Sequence, residues 1–318
     1  MWGDKCYHSL DYEIKARYGE KLYKLSLDGG FTCPNRDGRI GRGGCIFCSA
    51  GGSGDFTPDD RLSVTEQIEA AAALVAKKHR GHGYIAYFQA YTGTYGAPDR
   101  LRRLYMEATS RPDVRILSIA TRPDCLEPPI LSVLSDMAAI KPVWIELGLQ
   151  TIHASTAEYI RRGYPLPVFE KAVHTLHAMG IEVIVHVILG LPGESREDML
   201  ATIRYLNTLP ISGIKLQLLH VLKGTDLAAD YAAGKFKTLT LEEYTDLLIE
   251  CIEALRPDIT IHRITGDGPK KLLIAPAWSA DKKKVLGRIH HEMKLRGSLQ
   301  GRCFEENTEH RTMDSDHC

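Results

Sequence analysis

Cys33, Cys45 and Cys48 fall inside the run Phe31-Thr-Cys-Pro-Asn-Arg-Asp-Gly-Arg-Ile-Gly-Arg-Gly-Gly-Cys-Ile-Phe-Cys-Ser. Three thiolates on one glycine-rich loop can bind three corners of an iron-sulfur cube, and the fourth iron is then open to a substrate or cofactor. A structural zinc site takes four ligands, usually from two Cys-x-x-Cys-like knuckles. Here one knuckle exists, Cys45 with Cys48, and no His lies between Cys33 and Cys48. Gly41, Gly43 and Gly44 would let the backbone bend around such a group. The other cysteines (Cys6, Cys125, Cys251, Cys303 and Cys318) are dispersed, and Cys125 is expected as a small buried hydrophobe.

The elements that must position these thiols are legible in the alternation of the chain. Its 318 residues are 44% hydrophobic and 25% charged, enough for a sizeable core in one large α/β domain. Forty basic residues balance forty acidic ones, so no global field argues for nucleic acid, although charge can still be segregated locally. The N-terminal residues do not read as an apolar leader, and no run of ~20 apolar residues is present, so the expected compartment is the reducing cytoplasm, with no membrane partner.

Strands are expected at 21–27, 84–91, 116–121, 144–149, 182–189 and 213–220. Helices are expected at 63–80, 98–109, 127–138, 167–179, 195–206 and 241–255. Thr65 could cap the first helix, and Gly180 sits where the fourth should stop. Six βα units fit a partial (β/α)6 TIM-like barrel, with an open doubly wound sheet as the alternative. The expected division is an N-terminal extension over 1–20, the barrel over 21–267, and a basic helix with an acidic tail over 268–318.

In either architecture the reactive groups belong at the carboxyl ends of the strands, and polar residues fall there. Gln89, Tyr91 and Thr92 follow the second strand, and Thr121-Arg122-Pro123-Asp124 follows the third. Glu146 and Gln150 lie in the fourth. His186 precedes Gly190-Leu-Pro-Gly193-Glu194 in the fifth, and Lys215, Gln217 and His220 lie in the sixth. If Ile145, Leu147 and Leu149 face the helices, Glu146 points into the barrel and must be paired or hydrogen-bonded.

A three-cysteine loop after the first strand of such a barrel resembles the radical S-adenosylmethionine (radical SAM) enzymes. The usual spacing there is Cys-x-x-x-Cys-x-x-Cys, and the eleven residues between Cys33 and Cys45 depart from it. Expanded spacers occur in the branch containing the Elongator catalytic subunit. The stretches Phe31-Thr-Cys-Pro-Asn-Arg-Asp-Gly, Thr-Arg-Pro-Asp, Glu-Leu-Gly-Leu-Gln, Arg-Arg-Gly-Tyr, Gly-Leu-Pro-Gly-Glu and Leu-Lys-Gly-Thr resemble its YhcC/YtqA-type subfamily. The acetyltransferase domain of the Elongator subunit is not visible, so acyl transfer is not implied.

The resemblance implies that Cys33, Cys45 and Cys48 ligate a 4Fe-4S cluster whose open iron binds S-adenosylmethionine, and that a reductant such as flavodoxin or ferredoxin supplies electrons. Gln89, Tyr91 and Thr92 stand where the superfamily carries Gly-Gly-Glu, which this chain lacks. They could accept from the methionine ammonium, with core packing the alternative for Tyr91. For the methionine carboxylate, Arg162 is preferred because guanidinium grips a carboxylate bidentately; Arg161 is then a solvated neighbour and Arg122 an alternative. Glu146 and Gln150 are expected at the ribose or the ammonium, or Glu146 in structural pairing with Lys215. Gly190 and Glu194 are expected to shape the adenine pocket, and His186 and His220 are substrate contacts or satisfied core histidines.

Between Lys282 and Arg302 the chain carries seven Lys or Arg against one acid, Glu292. Lys282, Lys283, Lys284 and Arg288 could hold RNA phosphates, or be the solvated face of a helix. The acidic residues Glu305, Glu306, Glu309, Asp314 and Asp316 follow. The resemblance favours tRNA, with a wobble-uridine C5 side chain, carboxymethylaminomethyl, as substrate. A radical enzyme on a small metabolite and a zinc-dependent RNA-binding module are the competing readings. Nothing in the sequence fixes the oligomeric state.

Overall fold

The computed structural model describes residues 2–55, 57–77, 81–266 and 268–304. Its centre is a parallel sheet of β1 (Tyr23–Leu27), β2 (Tyr84–Phe88), β3 (Val114–Thr121), β4 (Val143–Gln150), β5 (Glu182–Leu189) and β6 (Gly213–Leu218), which run in sequence order. A seventh strand, β8 (Thr260–Arg263), joins β6 after the short β7 (Val221–Leu222) has left to pair antiparallel with β9 (Leu273–Ala275). Because every parallel crossover is right-handed, a sheet wound in sequence order puts all its crossover helices on one face. The sheet then curls with its other face inward. β1 and β8 are its two edges, so the barrel is open, with seven strands rather than the expected six.

The outer helices are α2 (Val64–Val75), α3 (Pro98–Ser110), α4 (Pro128–Ala138), α6 (Leu166–Ala178), α7 (Arg196–Leu206) and α9 (Leu241–Ala254), with the single-turn α5 (Ala154–Tyr159) after β4. Alternate strand residues (Ile145, Leu147 and Leu149 of β4; Val183, Val185, Val187 and Leu189 of β5; Ile214, Leu216 and Leu218 of β6) are buried in the main core with helix residues such as Tyr105, Phe169 and Tyr244. This period of two sends the even residues of β4 inward, as the sequence pattern required. Helix α2 starts two residues earlier than a Thr65 cap implied. Ser63 is its cap and forms a reciprocal capping box with Glu66, whereas the Thr65 N–H donates to Glu107 Oε1 at 2.8 Å. Gly180 does end α6, at φ +70°.

The floor of the barrel is apolar. Trp144, Ile184, Ile85 and Ile116 point inward near the amino ends of their strands and meet Ile14 of α1 (Leu10–Tyr18), which closes that end. Above this plug the inner face turns polar. A third cluster packs Ile46 of the cysteine loop against Ile160, Ile188, Leu219 and Leu227 of α8 (Asp226–Ala232). The basic segment forms α10 (Lys282–Arg296), shorter than expected because Gly297 takes a left-handed conformation and stops it. Val285, Ile289 and Met293 bury its inner face. Cys318 and the acidic residues from Glu305 onward lie outside the described residues.

Phe169 is fully buried where α6 meets the sheet. Phe169→Ala removes a ring that its neighbours cannot replace, and should cost about 3–5 kcal/mol. The check is a lower denaturant midpoint at unchanged slope.

Candidate functional site

The cysteine loop is held by its own backbone and by two side chains that the sequence reading did not single out. The Cys33 carbonyl accepts from the Arg36 and Asp37 N–H groups at 2.8 and 3.1 Å, and the Cys45 carbonyl accepts from Cys48 N–H at 3.0 Å. Each cysteine therefore sits at a tight turn. Asn35 Nδ2 donates to the Arg161 carbonyl at 2.6 Å and lies 3.7 Å from Cys45 Sγ. Arg36 Nη2 donates to the carbonyls of Cys48 and Ser49 at 3.1 and 2.5 Å, and its guanidinium stacks on Tyr91. Two glycines are required here: Gly44 has φ +72° and a Cβ there would fall 2.9 Å from Arg36 Nε, and a Cβ on Gly41 would fall 2.6 Å from Asn35 Oδ1.

All three cysteines line one cavity of about 270 Å³ at the carboxyl ends of the strands. Burial and the neighbouring Cys48 raise the Cys45 thiol to about 12, against the pull of Arg122; burial also raises Cys48, offset by Arg36. As free thiols Cys45 and Cys48 are held toward the protonated form, so a positively charged metal group is what would convert them to ligands. Among the described residues no three His, Cys, Asp or Glu side chains converge closely enough for a single metal ion. Three thiols on one loop are the donor set of an iron-sulfur group with one open iron rather than of a four-ligand zinc site.

The segment after β2 braces this loop. Strand β2 ends at Phe88, earlier than expected, because Tyr91 adopts φ +54°, which a strand cannot accommodate. Its hydroxyl donates to the Ala50 carbonyl at 2.6 Å and its N–H to the Gly52 carbonyl at 2.7 Å. Gln89 Nε2 donates to the Ser53 carbonyl at 2.7 Å, and the buried Thr92 N–H donates to the Thr32 carbonyl at 3.3 Å. Gln89, Tyr91 and Thr92 line the cavity and also hold the cysteine loop in place.

After β3 and β4 the same cavity is lined by Arg122, Gln150 and Arg162. Arg122 is committed to Asp124 through two hydrogen bonds of 2.9 and 2.8 Å, and its third nitrogen donates to the Arg162 carbonyl. Arg162 is 3% exposed, and its Nε and Nη1 donate to the carbonyls of Tyr164, Leu149 and Thr151. Arg161 is exposed, in a left-handed conformation, and paired with Asp226 at 2.5 Å. Gln150 also takes a left-handed φ, +68°, and its Oε1 is a buried acceptor without a protein partner. Strain and an orphaned acceptor on one residue make Gln150 a candidate ligand contact.

Glu146 is fully enclosed. Its Oε1 accepts from Lys24 at 2.6 Å and Ser118 at 2.9 Å, and its Oε2 from Lys215 and from His186 at 2.7 Å. Burial alone would raise this carboxyl, but Lys215, Lys24 and His186 hold it well below the usual range. The pairing with Lys215 is thus present, and Lys24 and His186 share it. Burial lowers Lys215 to about 7, with Glu146 opposing and Lys24 and Arg263 adding to the drop. His186 is pushed to about 4 by burial and Lys215. Lys24 was legible: in Tyr23-Lys-Leu-Ser-Leu the odd leucines go out and Lys24 with Ser26 goes in.

Other expected residues are less central. His220 lines the cavity; its ring fills the space in which a Cβ on Gly266 or Gly268 would sit, at 2.5 and 2.7 Å. Gly190 packs against Leu239 and Leu219, and Glu194 reaches Thr151 and Thr156; neither is on the cavity wall. Lys282, Lys283 and Lys284 line a second, larger cavity of about 1300 Å³ with Lys270 and Lys271. The two cavities share Gln89, Asp55, His220 and Arg263 in their walls. Arg288 is instead paired along its helix with Glu292 at 3.1 Å, and Arg296 with Asp246 at 2.6 Å. Among the described residues no helix is long and apolar enough to cross a membrane.

An open parallel barrel carrying three thiols at its mouth is the architecture of a radical SAM enzyme, and residues 35–206 match the Radical SAM superfamily while 211–295 match the Radical_SAM C-terminal domain. The chain belongs to the radical SAM superfamily, whose members use a 4Fe-4S cluster on three cysteines together with S-adenosylmethionine. Within it this is a YhcC/YtqA-type protein. It is 42% identical to the uncharacterized protein YtqA of Bacillus subtilis over 95% of this chain and 94% of that one. It is 38% identical to YhcC of Escherichia coli K12 over 93% and 96%. A more distant relative, the tRNA uridine(34) acetyltransferase of Methanocaldococcus infernus, is 27% identical over 59% of this chain and 34% of its own length. Among solved structures, archaeal Elp3 of M. infernus superposes with a TM-score of 0.67 at 16% identity, over 88% of this chain and 64% of that one, and so shares the fold.

Arg36 ties the Cys48 end of the loop to its Cys33 end. Arg36→Ala should leave far-ultraviolet circular dichroism unchanged while iron bound after anaerobic reconstitution falls by about half or more, because it removes two part-buried hydrogen bonds from a charged donor. Iron per chain, measured by colorimetric assay, checks it.

Proposed function

We propose that Cys33, Cys45 and Cys48 hold the cluster, and that this cytoplasmic enzyme acts on the C5 side chain of a wobble uridine in tRNA, converting carboxymethylaminomethyl to aminomethyl: the N–CH2 carbon would lose a hydrogen atom and then one electron, returned to the cluster, and a proton, and water would hydrolyse the resulting imine to the amine and glyoxylate. When bound, cluster and S-adenosylmethionine supply a 5'-deoxyadenosyl radical that takes a hydrogen atom from the substrate. The protein's share is binding, orientation and exclusion of water. Asn35 and Arg36 fix the thiols. The orphaned Gln150 Oε1 is the acceptor best suited to an ammonium or hydroxyl of the cofactor, with Gln89, Tyr91 and Thr92 lining the same cavity. Arg162 is the cation for its carboxylate, since Arg122 is spent on Asp124. Gly190 and Glu194 act at a distance by fixing the loops after β5 and β4.

The observation that carries the RNA reading is the second cavity. It shares wall residues with the first, and its lining holds Lys270, Lys271, Lys282, Lys283 and Lys284 against Asp55 and Asp281 in a chain of zero net charge. Five ammoniums at the entrance of a reaction chamber suit a polyanion whose one nucleotide is splayed inward. The tRNA-directed name of the more distant relative supports the same substrate. A reductant such as flavodoxin or ferredoxin is the expected electron donor.

Nucleoside profiles of tRNA from cells lacking the protein should show an accumulated 5-carboxymethylaminomethyluridine derivative, and an unchanged profile removes tRNA as substrate in favour of a small metabolite. In vitro, replacing Lys282, Lys283 and Lys284 together by Gln should weaken tRNA binding about tenfold near 0.15 M salt and flatten its salt dependence by up to three phosphate contacts. Filter binding across a salt series reads both.

A further inference from the structure

Glu146 is held ionised by the donors around it and acts as an acceptor only. The His186 nitrogen 2.7 Å from its Oε2 is Nε2, which therefore carries the hydrogen of that contact. Burial and Lys215 push His186 down to about 4 and keep the ring neutral, so Nδ1 is the nitrogen with the lone pair. No protein donor reaches Nδ1 among the described residues, and Nδ1 is not one of the enclosed polar atoms left without a partner. The side chain is 16% exposed and lines the reaction cavity, which is where this lone pair opens. One nitrogen of the ring is satisfied and the other is available.

The sheet sets the place. His186 of β5 pairs in register with Gly148 of β4, two residues beyond Glu146. Gly148 has no side chain to cover the imidazole, and the Gln150 amide lies over it, with Nε2 2.9 Å from where a Cβ would stand. The two unengaged acceptors, Gln150 Oε1 and His186 Nδ1, thus belong to adjacent strands at adjoining levels of one cavity.

We infer that His186 is the base of the reaction: its Nδ1 takes the proton that the substrate nitrogen gives up once the adjacent carbon has lost a hydrogen atom and an electron, and Glu146 stabilises the imidazolium that forms. The inference deepens the proposed uridine reading and rests on it for the identity of that nitrogen. The step balances. The hydrogen atom ends in 5'-deoxyadenosine and the electron on the cluster, the N–H bonding pair stays on nitrogen as the lone pair of the imine, and the proton forms the Nδ1–H bond. A carboxylate behind an imidazole fixes the tautomer and favours the charged ring. Lys215 of β6 and Arg263 of β8 oppose that charge, and Lys24 of β1, Tyr87 of β2 and His262 of β8 complete the surroundings. Lys215 is lowered to about 7, so above that pH one opposing cation is lost, the base strengthens, and proton transfer should quicken as pH rises through 7.

The test uses the full chain, reconstituted anaerobically, with tRNA carrying 5-carboxymethylaminomethyluridine deuterated at the carbon between nitrogen and carboxylate. Wild-type protein should place deuterium in 5'-deoxyadenosine and release one glyoxylate for each. In His186→Gln, whose amide can still donate to Glu146, glyoxylate per deuterated 5'-deoxyadenosine should fall about a hundredfold or more, the share of a general base, and its rise with pH should vanish. Nitrogen-15 NMR of the same protein with its cluster oxidised reads the ring independently of turnover: His186 should be the neutral Nε2–H tautomer at pH 6, and Lys215→Met should raise its titration midpoint. An unchanged ratio in His186→Gln, deuterium transfer and glyoxylate falling together, or an Nδ1–H tautomer each overturns the base. Wild-type protein that takes no deuterium from the uridine but shows the Nε2–H tautomer strikes the uridine reading and retains the open base.

Discussion

One buried carboxylate organises the inside of this barrel. Glu146 receives Lys24 from β1, Ser118 from β3, His186 from β5 and Lys215 from β6, so that a single side chain on β4 ties together five of the seven strands of the sheet. Parallel strands wound in sequence order place every crossover helix outside, and the inner face is left with no second layer to pack against. The sequence fills its lower third with Trp144, Ile184, Ile85 and Ile116 and its middle with this ionic cluster. A charge so enclosed is tolerable only when its lone pairs are satisfied, and here all four donors are present. An open barrel without a β1–β8 seam gains from such cross-strand ties, because they oppose the splaying that the missing seam permits.

The cysteine loop depends on the sheet in a different way. Its apolar residue Ile46 inserts into a cluster made by the loops after β5 and β6, Tyr91 pins it from the β2 end, and Asn35 ties it to the Arg161 carbonyl after β4. The long spacer between Cys33 and Cys45 is therefore structured by turns rather than slack: Gly44 and Gly41 make room for Arg36 and Asn35, which hold the loop. The same segment after β2 that braces the loop also lines the cavity, so the placement of the thiols and the shape of the cofactor chamber are set by the same backbone. Strain at Tyr91, Gln150 and Arg161 is concentrated on this rim, where it positions groups rather than adding stability.

Much of this was legible in the chain. The strand at Glu182–Leu189 matches its expected bounds because it is long, apolar on one side and preceded by a helix-stopping glycine. The inward direction of Glu146 followed from the alternation around it. The seventh strand was not legible: Thr260–Arg263 is four residues long with three of them polar, and its pairing with β6 is a tertiary fact. The sharing of Glu146 by Lys24 and His186 was hidden for the same reason, since it depends on the register of strands distant in sequence. Asn35 and Arg36 lay inside the recognised motif, but their work is on backbone carbonyls, and no periodicity announces that. The split of α10 into a basic first turn and a later half neutralised by Glu292 and Asp246 could not be read from its count of lysines and arginines.

Charge in this neutral chain is arranged along one axis. The outer cavity is rimmed by lysines of α10 and of the segment before β9, the middle holds the thiols among Arg36, Arg122 and Arg162, and the floor holds Lys24, Lys215 and Arg263 against Glu146. Lysines and arginines outnumber acids along the path, although Asp55 lines both cavities, Asp281 lines the outer one and Asp124 pairs with Arg122, while Asp226, Asp246 and Glu292 sit on outer pairs. A field of that form raises the local concentration of an anionic substrate at the mouth. Inside, where the dielectric is low, the same sign of charge acts at short range and selects for negative groups at fixed depths. Long-range capture and short-range placement therefore arise from one gradient, and the thiol loop lies midway along it.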